Sequence, residues 1–270
     1  TQGVSSAASD VYKRQTMLNE MQIEQYFEDG YVIPDYRIPE ETIIAIQDRH
    51  TELLGAYPEF RDYCPAILQY DEGFADFCRN SEVLDMVEQL IGPDIALWNS
   101  SFFAKPAGNG KATPWHQDGE YWPIRPLATC TVWVAVDDAT RENGCLQIIK
   151  GSHKEKRLLK HETNPSKELT LNQELLTSEF DESQAVDLVL ERGQISLHDV
   201  FLAHGSDPNT SNKSRRGMTM RFMPMTSVFD HELAREQYKN MHVPDHSDRK
   251  IFHMRGSDRS GKNKLVFESG

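Results

Sequence analysis

The hydrophobic period of this chain changes once, near Asp94, and the change limits what it can fold into. Upstream, apolar residues recur at helical spacing. From Ile95 to Met223 they come in short alternating or β-branched runs separated by Gly, Pro, Asn and Asp. Short strands punctuated by turns must cover their apolar faces with a second layer. The expected fold is therefore mainly β with flanking helices, a jelly roll of two antiparallel sheets packed face to face. With 270 residues the chain is long enough to build this as one domain over 17–270.

The helical part reads from its caps. Asn19 caps a helix reaching about Phe27 and ended by Gly30, and Tyr31-Val32-Ile33 reads as a strand. Pro39 opens a second helix over 40–54 with Ile43, Ile44, Ile46 and Leu53 as its apolar stripe, and Ser81 caps a third over 82–90, closed by Gly92. Residues 57–77 show no clear period. Further on, Asn143-Gly144 reads as a hairpin turn between strands at 128–136 and 145–149. Residues 155–182 read as an exposed polar excursion, and 230–238 as a short helix before a polar tail. Gly110-Lys111 lacks the remaining residues of a phosphate loop.

Within the strand region sits Pro114-Trp115-His116-Gln117-Asp118-Gly119. In an extended strand residues i and i+2 share a face, so His116 and Asp118 look into the same space. One imidazole and one carboxylate make two thirds of a 2-His-1-carboxylate triad, the donor set of non-haem Fe(II). His204, 88 positions beyond His116 and just after the strand-like run 194–202, is the best third ligand. Trp122 lies four residues past Asp118 and shares the ligand face if the strand stays extended. It is a candidate wall of the substrate pocket and equally a core aromatic. His198, six before His204, can face inward to support a ligand or serve as a structural histidine. His50, His153, His161, His231, His242, His246 and His253 read as surface or core residues.

Together, Trp115-His116-Gln117-Asp118, His204-Gly205-Ser206-Asp207-Pro208-Asn209-Thr210-Ser211 and Arg215 resemble the phytanoyl-CoA dioxygenase family of Fe(II)/2-oxoglutarate oxygenases. The likeness extends to Lys105-Pro106, to residues 131–138 and to Glu142-Asn143-Gly144, and runs from about Gln22 onward. It implies a double-stranded β-helix with His116, Asp118 and His204 on Fe(II), with 2-oxoglutarate and O2 as co-substrates. It implies Arg215 on the distal carboxylate of 2-oxoglutarate, a role suited to the planar guanidinium fork, with Ser206 supporting the same carboxylate. Arg216, the neighbour, would point the other way. Thr131 and Asn99 are further candidates for co-substrate hydrogen bonds, and both also suit strand-interior polar groups bonded to protein. Lys105 is a candidate pocket residue. The implied activity is hydroxylation of a small soluble metabolite, with release of succinate and CO2. Asp118 argues against halide transfer, which relatives lacking that carboxylate perform. The competing reading is a cupin-like metal-dependent isomerase or ligand-binding jelly roll that does not use 2-oxoglutarate.

Charge and cysteine usage exclude other classes. A net charge of −13 with scattered Lys and Arg argues against nucleic-acid or anionic-membrane partners. No apolar run reaches membrane-spanning length. Residues 1–16 are polar and small, without an apolar core, and read as a disordered or expression-derived leader rather than a secretory signal. Cys64, Cys78, Cys130 and Cys145 lack CxxC spacing, so reduced thiols in a cytoplasm are expected. The nucleophile-elbow Gly-x-Ser-x-Gly, the His-Glu-x-x-His zincin motif and the dinucleotide Gly-x-Gly-x-x-Gly are absent from the sequence.

Overall fold

The computed structural model describes residues 17–241 and 245–267, so the expected leader over 1–16 and His242 lie outside the described residues. In chain order the leading elements are α1 (Glu20–Asp29), β1 (Tyr31–Val32), α2 (Glu40–Ala56), β2 (Tyr63–Cys64), α3 (Ile67–Tyr70), α4 (Phe74–Phe77) and α5 (Ser81–Ile91). Strands follow: β3 (Ile95–Lys105), β4 (Thr113–His116), β5 (Ile124–Arg125), β6 (Cys130–Ala135), β7 (Leu146–Ile149), β8 (His161–Thr163) and β9 (Gln173–Leu175). The remainder is β10 (Ala185–Leu188), β11 (Ile195–Asp199), β12 (His204–Ser206), β13 (Arg215–Pro224), β14 (Val228–Phe229), α6 (His231–Met241), β15 (Ile251–Arg255) and β16 (Leu265–Val266).

Two sheets face each other, as expected. The larger runs β1-β11-β6-β13-β3-β15-β16 with β2 beside β3, and the smaller runs β10-β7-β12-β4. Helices α1 to α5 pack on the outer face of the larger sheet. Ile43 and Ile46 of α2 and Val83, Met86 and Val87 of α5 meet Phe102, Val132, Val134, Leu197, Met218 and Met220 in one buried cluster. Each such side chain removed from water contributes about 1.5–3 kcal/mol. The caps explain the helix starts. Asn19 and Gln22 form a reciprocal capping box on α1, and Gly30 ends it at φ 88°. On α5 the cap is Asn80, whose side chain accepts from Val83 N, and not Ser81 as the sequence suggested.

The inner face of the larger sheet is polar where it confronts the smaller one. Strand pairing sets His198, Thr131, Arg221 and Asn99 in a row across β11, β6, β13 and β3. A bulge at Trp98, between the pairs Arg221–Asn99 and Phe222–Leu97, turns both Trp98 and Asn99 inward. On β13 the alternation sends Met218, Met220 and Phe222 to the helices and Arg215, Gly217, Thr219 and Arg221 to the interior.

Two expectations fail here. Asn143-Gly144 does turn the chain, with Gly144 at φ 78°, but β6 and β7 lie in different sheets, so the turn is a crossover and not a hairpin. The stretch 155–182 is no mere excursion: it carries the β8–β9 pair, and Leu159 and Leu175 pack against Trp115.

Candidate metal centre

His116 and His204 are direct cross-strand partners on β4 and β12, with ring centroids 4.2 Å apart. Each Nδ1–H donates to a carbonyl two residues back: His116 to Pro114 O and His204 to Leu202 O, both at 2.8 Å. Such bonds fix the tautomer and leave both Nε2 lone pairs facing inward. They lie 3.8 and 3.9 Å from Asp118 Oδ1. Gln117 keeps an extended backbone between His116 and Asp118, so the two share a face as the spacing predicts. Its own side chain points away, donating to Phe201 O at 2.7 Å and accepting from Leu159 N at 2.7 Å. All three donor atoms lie within 4.8 Å of one another and are buried.

The protonation states suit a divalent cation. Burial pushes His116 down to about 4 and His204 well below the usual imidazole range. Burial opposes ionisation of Asp118, but the Arg221 guanidinium together with His198 and His204 outweighs it and holds the carboxyl well below its ordinary value. Two neutral imidazoles and one carboxylate are the forms a metal binds. Because both imidazoles stay neutral well below the ordinary histidine range, the site resists acid further than unperturbed histidines would.

Two cavities adjoin the triad. The first, about 350 Å³, reaches from the three donors to Ser206, Thr219 and Arg215. Arg215 is 1 % exposed, and its guanidinium donates only to neutral carbonyls, Gly144 O from Nε at 3.1 Å and from Nη2 at 2.5 Å, and Phe103 O from Nη1 at 3.1 Å. It stacks 5.3 Å from the Trp133 ring centroid. Gly217 makes this stack possible, because a Cβ there would collide with the Trp133 indole. A buried guanidinium without a carboxylate is suited to receive one from a ligand. Arg216 faces away and pairs with Asp137 at 2.8 Å.

The second cavity, about 340 Å³, opens from His116 and Asp118 toward Tyr63, Asn99, Trp122, Leu171, Arg221 and His246. Trp122 reaches it by a different route from the one expected. The strand ends at His116 and Asp118 starts a 3-10 turn, which carries Trp122 edge-on against Trp98 with ring centroids 4.5 Å apart.

Other predicted site residues fall elsewhere. Thr131 Oγ1 donates to Asp118 Oδ2 at 3.1 Å, so it orients the carboxylate. Asn99 lines the second cavity and not the one holding Arg215, with its amide donating to Pro65 O at 3.0 Å. Lys105 is buried but lines neither cavity: Nζ donates to Lys111 O, and burial, aided by the like charge of Arg215, pushes it down to about 6. His198 faces inward, 3.6 Å from Asp118 Oδ2. His50 stacks on Phe102 in the core, and His246, expected to be surface or core, is buried on the second cavity. Sequence reasoning passed over Arg221, whose signal is parity: it lies six residues past Arg215 on the same strand face.

Among known proteins, the sequence model of the family described as "Phytanoyl-CoA dioxygenase (PhyH)" matches residues 26–217. Peroxisomal phytanoyl-CoA dioxygenase from Homo sapiens is 34 % identical over 161 residues, covering 57 % of this chain and 47 % of that protein. A probable phytanoyl-CoA dioxygenase from Caenorhabditis elegans is 32 % identical over 182 residues, 62 % of this chain and 57 % of that one. The chain thus spans about half the length of the curated relatives it matches. Among solved structures, the non-heme monooxygenase ThoJ in its apo form has a similar fold, with a TM-score of 0.70 at 24 % identity over 92 % of this chain and 87 % of that one. With the family model matched from within α1 to the start of β13, this chain belongs to the phytanoyl-CoA dioxygenase family.

Proposed function

We propose that this protein is a non-haem Fe(II)- and 2-oxoglutarate-dependent dioxygenase that hydroxylates a small soluble metabolite, releasing succinate and CO2. The observation that carries the reading is Arg215, a buried cation with no carboxylate partner, in the same cavity as three preorganised metal donors. His116, Asp118 and His204 would hold the metal, and His116 and Asp118 line both cavities. When bound, the metal supplies the O2 chemistry and the oxidative decarboxylation. The chain does the rest by binding and orientation. Arg215 receives the distal carboxylate of 2-oxoglutarate with Ser206 beside it, and Thr131 keeps Asp118 turned toward the metal. Trp122 and Leu171 wall the substrate side and exclude water. A cupin-like protein that does not use 2-oxoglutarate would give Arg215 no work, and nothing else in the cavity favours that reading. No helix among the described residues is long and apolar enough to cross a membrane. Four buried, unpaired cysteines fit work in a reducing compartment such as the cytoplasm.

The test is succinate release from 2-oxoglutarate with Fe(II) and ascorbate over a panel of metabolites, beside an anaerobic mixture of protein, Fe(II) and 2-oxoglutarate. The expected results are substrate-dependent succinate and a weak visible charge-transfer band. Absence of that band at saturating 2-oxoglutarate would overturn the assignment.

A further inference from the structure

We infer that the second cavity recognises its substrate through an acid group, a carboxylate, phosphonate or phosphate on a small metabolite, gripped by Arg221 with the charge of Arg249 behind the cavity wall. The inference rests on the oxygenase reading and names the substrate class of that site. Both arginines lie beyond the residues the family model matches.

Arg221 and Arg249 are each 5 % exposed. Arg221 lines both cavities; its Nη1 donates to Ser101 Oγ, its Nη2 lies 3.5 Å from Asp118 Oδ1, and its Nε has no partner. Its guanidinium stacks 5.0 Å from the Trp122 ring centroid on the cavity wall. Arg249 donates from Nε to His246 Nδ1 at 2.7 Å and from Nη1 to Asn99 Oδ1, leaving Nη2 unpartnered. Asn99 and His246 both line the second cavity, so Arg249 stands directly behind its wall. Arg249 itself lines an outer cleft on the other side, which also carries Glu72 and Asp248, but Glu72 accepts from Lys250 and Asp248 is exposed. Among the described residues no carboxylate reaches salt-bridge distance of Arg249. The two guanidiniums are joined through Ser101 and Asn99, and the like charge of Arg221 adds to burial in disfavouring the charged Arg249.

Charge balance then decides. Asp118 is the only carboxylate lining either cavity among the described residues. Asp118 and the two negative charges of 2-oxoglutarate balance a divalent metal and Arg215. Arg221, which shares Asp118 with the metal, and Arg249 then remain as buried positive charge in excess of the negative charge lining the cavities, a state that is costly unless a ligand supplies the anion. A bidentate oxyanion matches both the charge and the planar fork.

The test uses the full chain loaded with Ni(II), which does not turn over O2, and saturated with 2-oxoglutarate so that the metal and the Arg215 end are filled. Methylphosphonate and propionate are titrated calorimetrically against their neutral counterparts, dimethyl methylphosphonate and propionamide. The expected result is binding of at least one anion at least tenfold tighter than its neutral counterpart, and the stronger arm tells phosphonate-type from carboxylate substrates. Arg221→Gln and Arg249→Gln should each weaken that anion at least tenfold, and Arg249→Gln, at a residue that lines neither cavity, should shift the 2-oxoglutarate midpoint less than threefold. Equal binding of charged and neutral probes by the wild-type protein overturns the inference, whether or not the variants fold. An equal loss of 2-oxoglutarate affinity in both variants also overturns it, assigning the arginines to the co-substrate. Anion preference in a protein that gives no charge-transfer band with Fe(II) and 2-oxoglutarate upholds this site and removes the oxygenase reading instead.

Discussion

Arg215 and Arg216 are neighbours with opposite fates, and the difference is strand parity. Arg215 turns into the first cavity and meets only carbonyls, while Arg216 turns outward to Asp137. Arg215→Gln should therefore raise the 2-oxoglutarate Kd by about 10–100-fold, the equivalent of one lost charge-assisted bond of about 1.5–3 kcal/mol. Arg216→Gln should leave that Kd alone and lower stability by no more than about 1 kcal/mol, since its ion pair is partly exposed. Titrating the charge-transfer band in both variants decides; a larger loss in Arg216→Gln would reverse the assignment. At this scale the sequence was most legible. The His116-x-Asp118 face follows from a two-residue period, and His204 from its position after a strand. Thr131 and Asn99 were harder, because which polar group they meet depends on neighbours in other strands, Asp118 for one and Pro65 and Arg249 for the other.

β13 and β3 carry the side of the site that faces the metal donors, and their details were not legible. Local patterning says where a strand is, but the pairing of Arg221 with Asn99 and Thr131 is set by contacts far apart in sequence. The bulge that turns Trp98 inward has no marker in Leu97-Trp98-Asn99. Turn chemistry at Asn143-Gly144 likewise shows that the chain reverses, without showing which sheet takes the next strand. Gly217 is the position where an element's shape bears most directly on function. Its missing Cβ leaves room for the Trp133 ring on which Arg215 stacks. Gly217→Ala should destabilise the fold by about 1–3 kcal/mol through overpacking and also weaken 2-oxoglutarate binding, as the indole and guanidinium shift together. Denaturant unfolding and the band titration should change in the same variant; a loss of stability with unchanged 2-oxoglutarate affinity would uncouple the stack from the co-substrate site.

Over the whole molecule, several buried imidazoles make folding sensitive to acid. His50 is stacked on Phe102 with ring centroids 4.0 Å apart, its Nε2 has no partner, and burial pushes it down to about 4. His116 is lowered to about 4 as well, and His204 and His246 also fall below the ordinary range, chiefly through burial. A folded value below the unfolded one means that the unfolded chain takes up the proton first as pH falls. Stability is therefore complete above about pH 6.5 and declines as pH drops toward 4, each such group contributing a slope of about 1.4 kcal/mol per pH unit. A bound metal, which needs neutral His116 and His204, adds its own stabilisation and delays the loss. His50→Phe keeps the aromatic stack and removes one titrating group without touching either cavity. In metal-free protein unfolded by urea between pH 7 and 4, its stability should fall about 1.4 kcal/mol per pH unit less steeply than that of the wild type. An identical slope would mean that His50 is already open to protons in the folded state, and that the outer face of the larger sheet is looser than its packing against α2 implies.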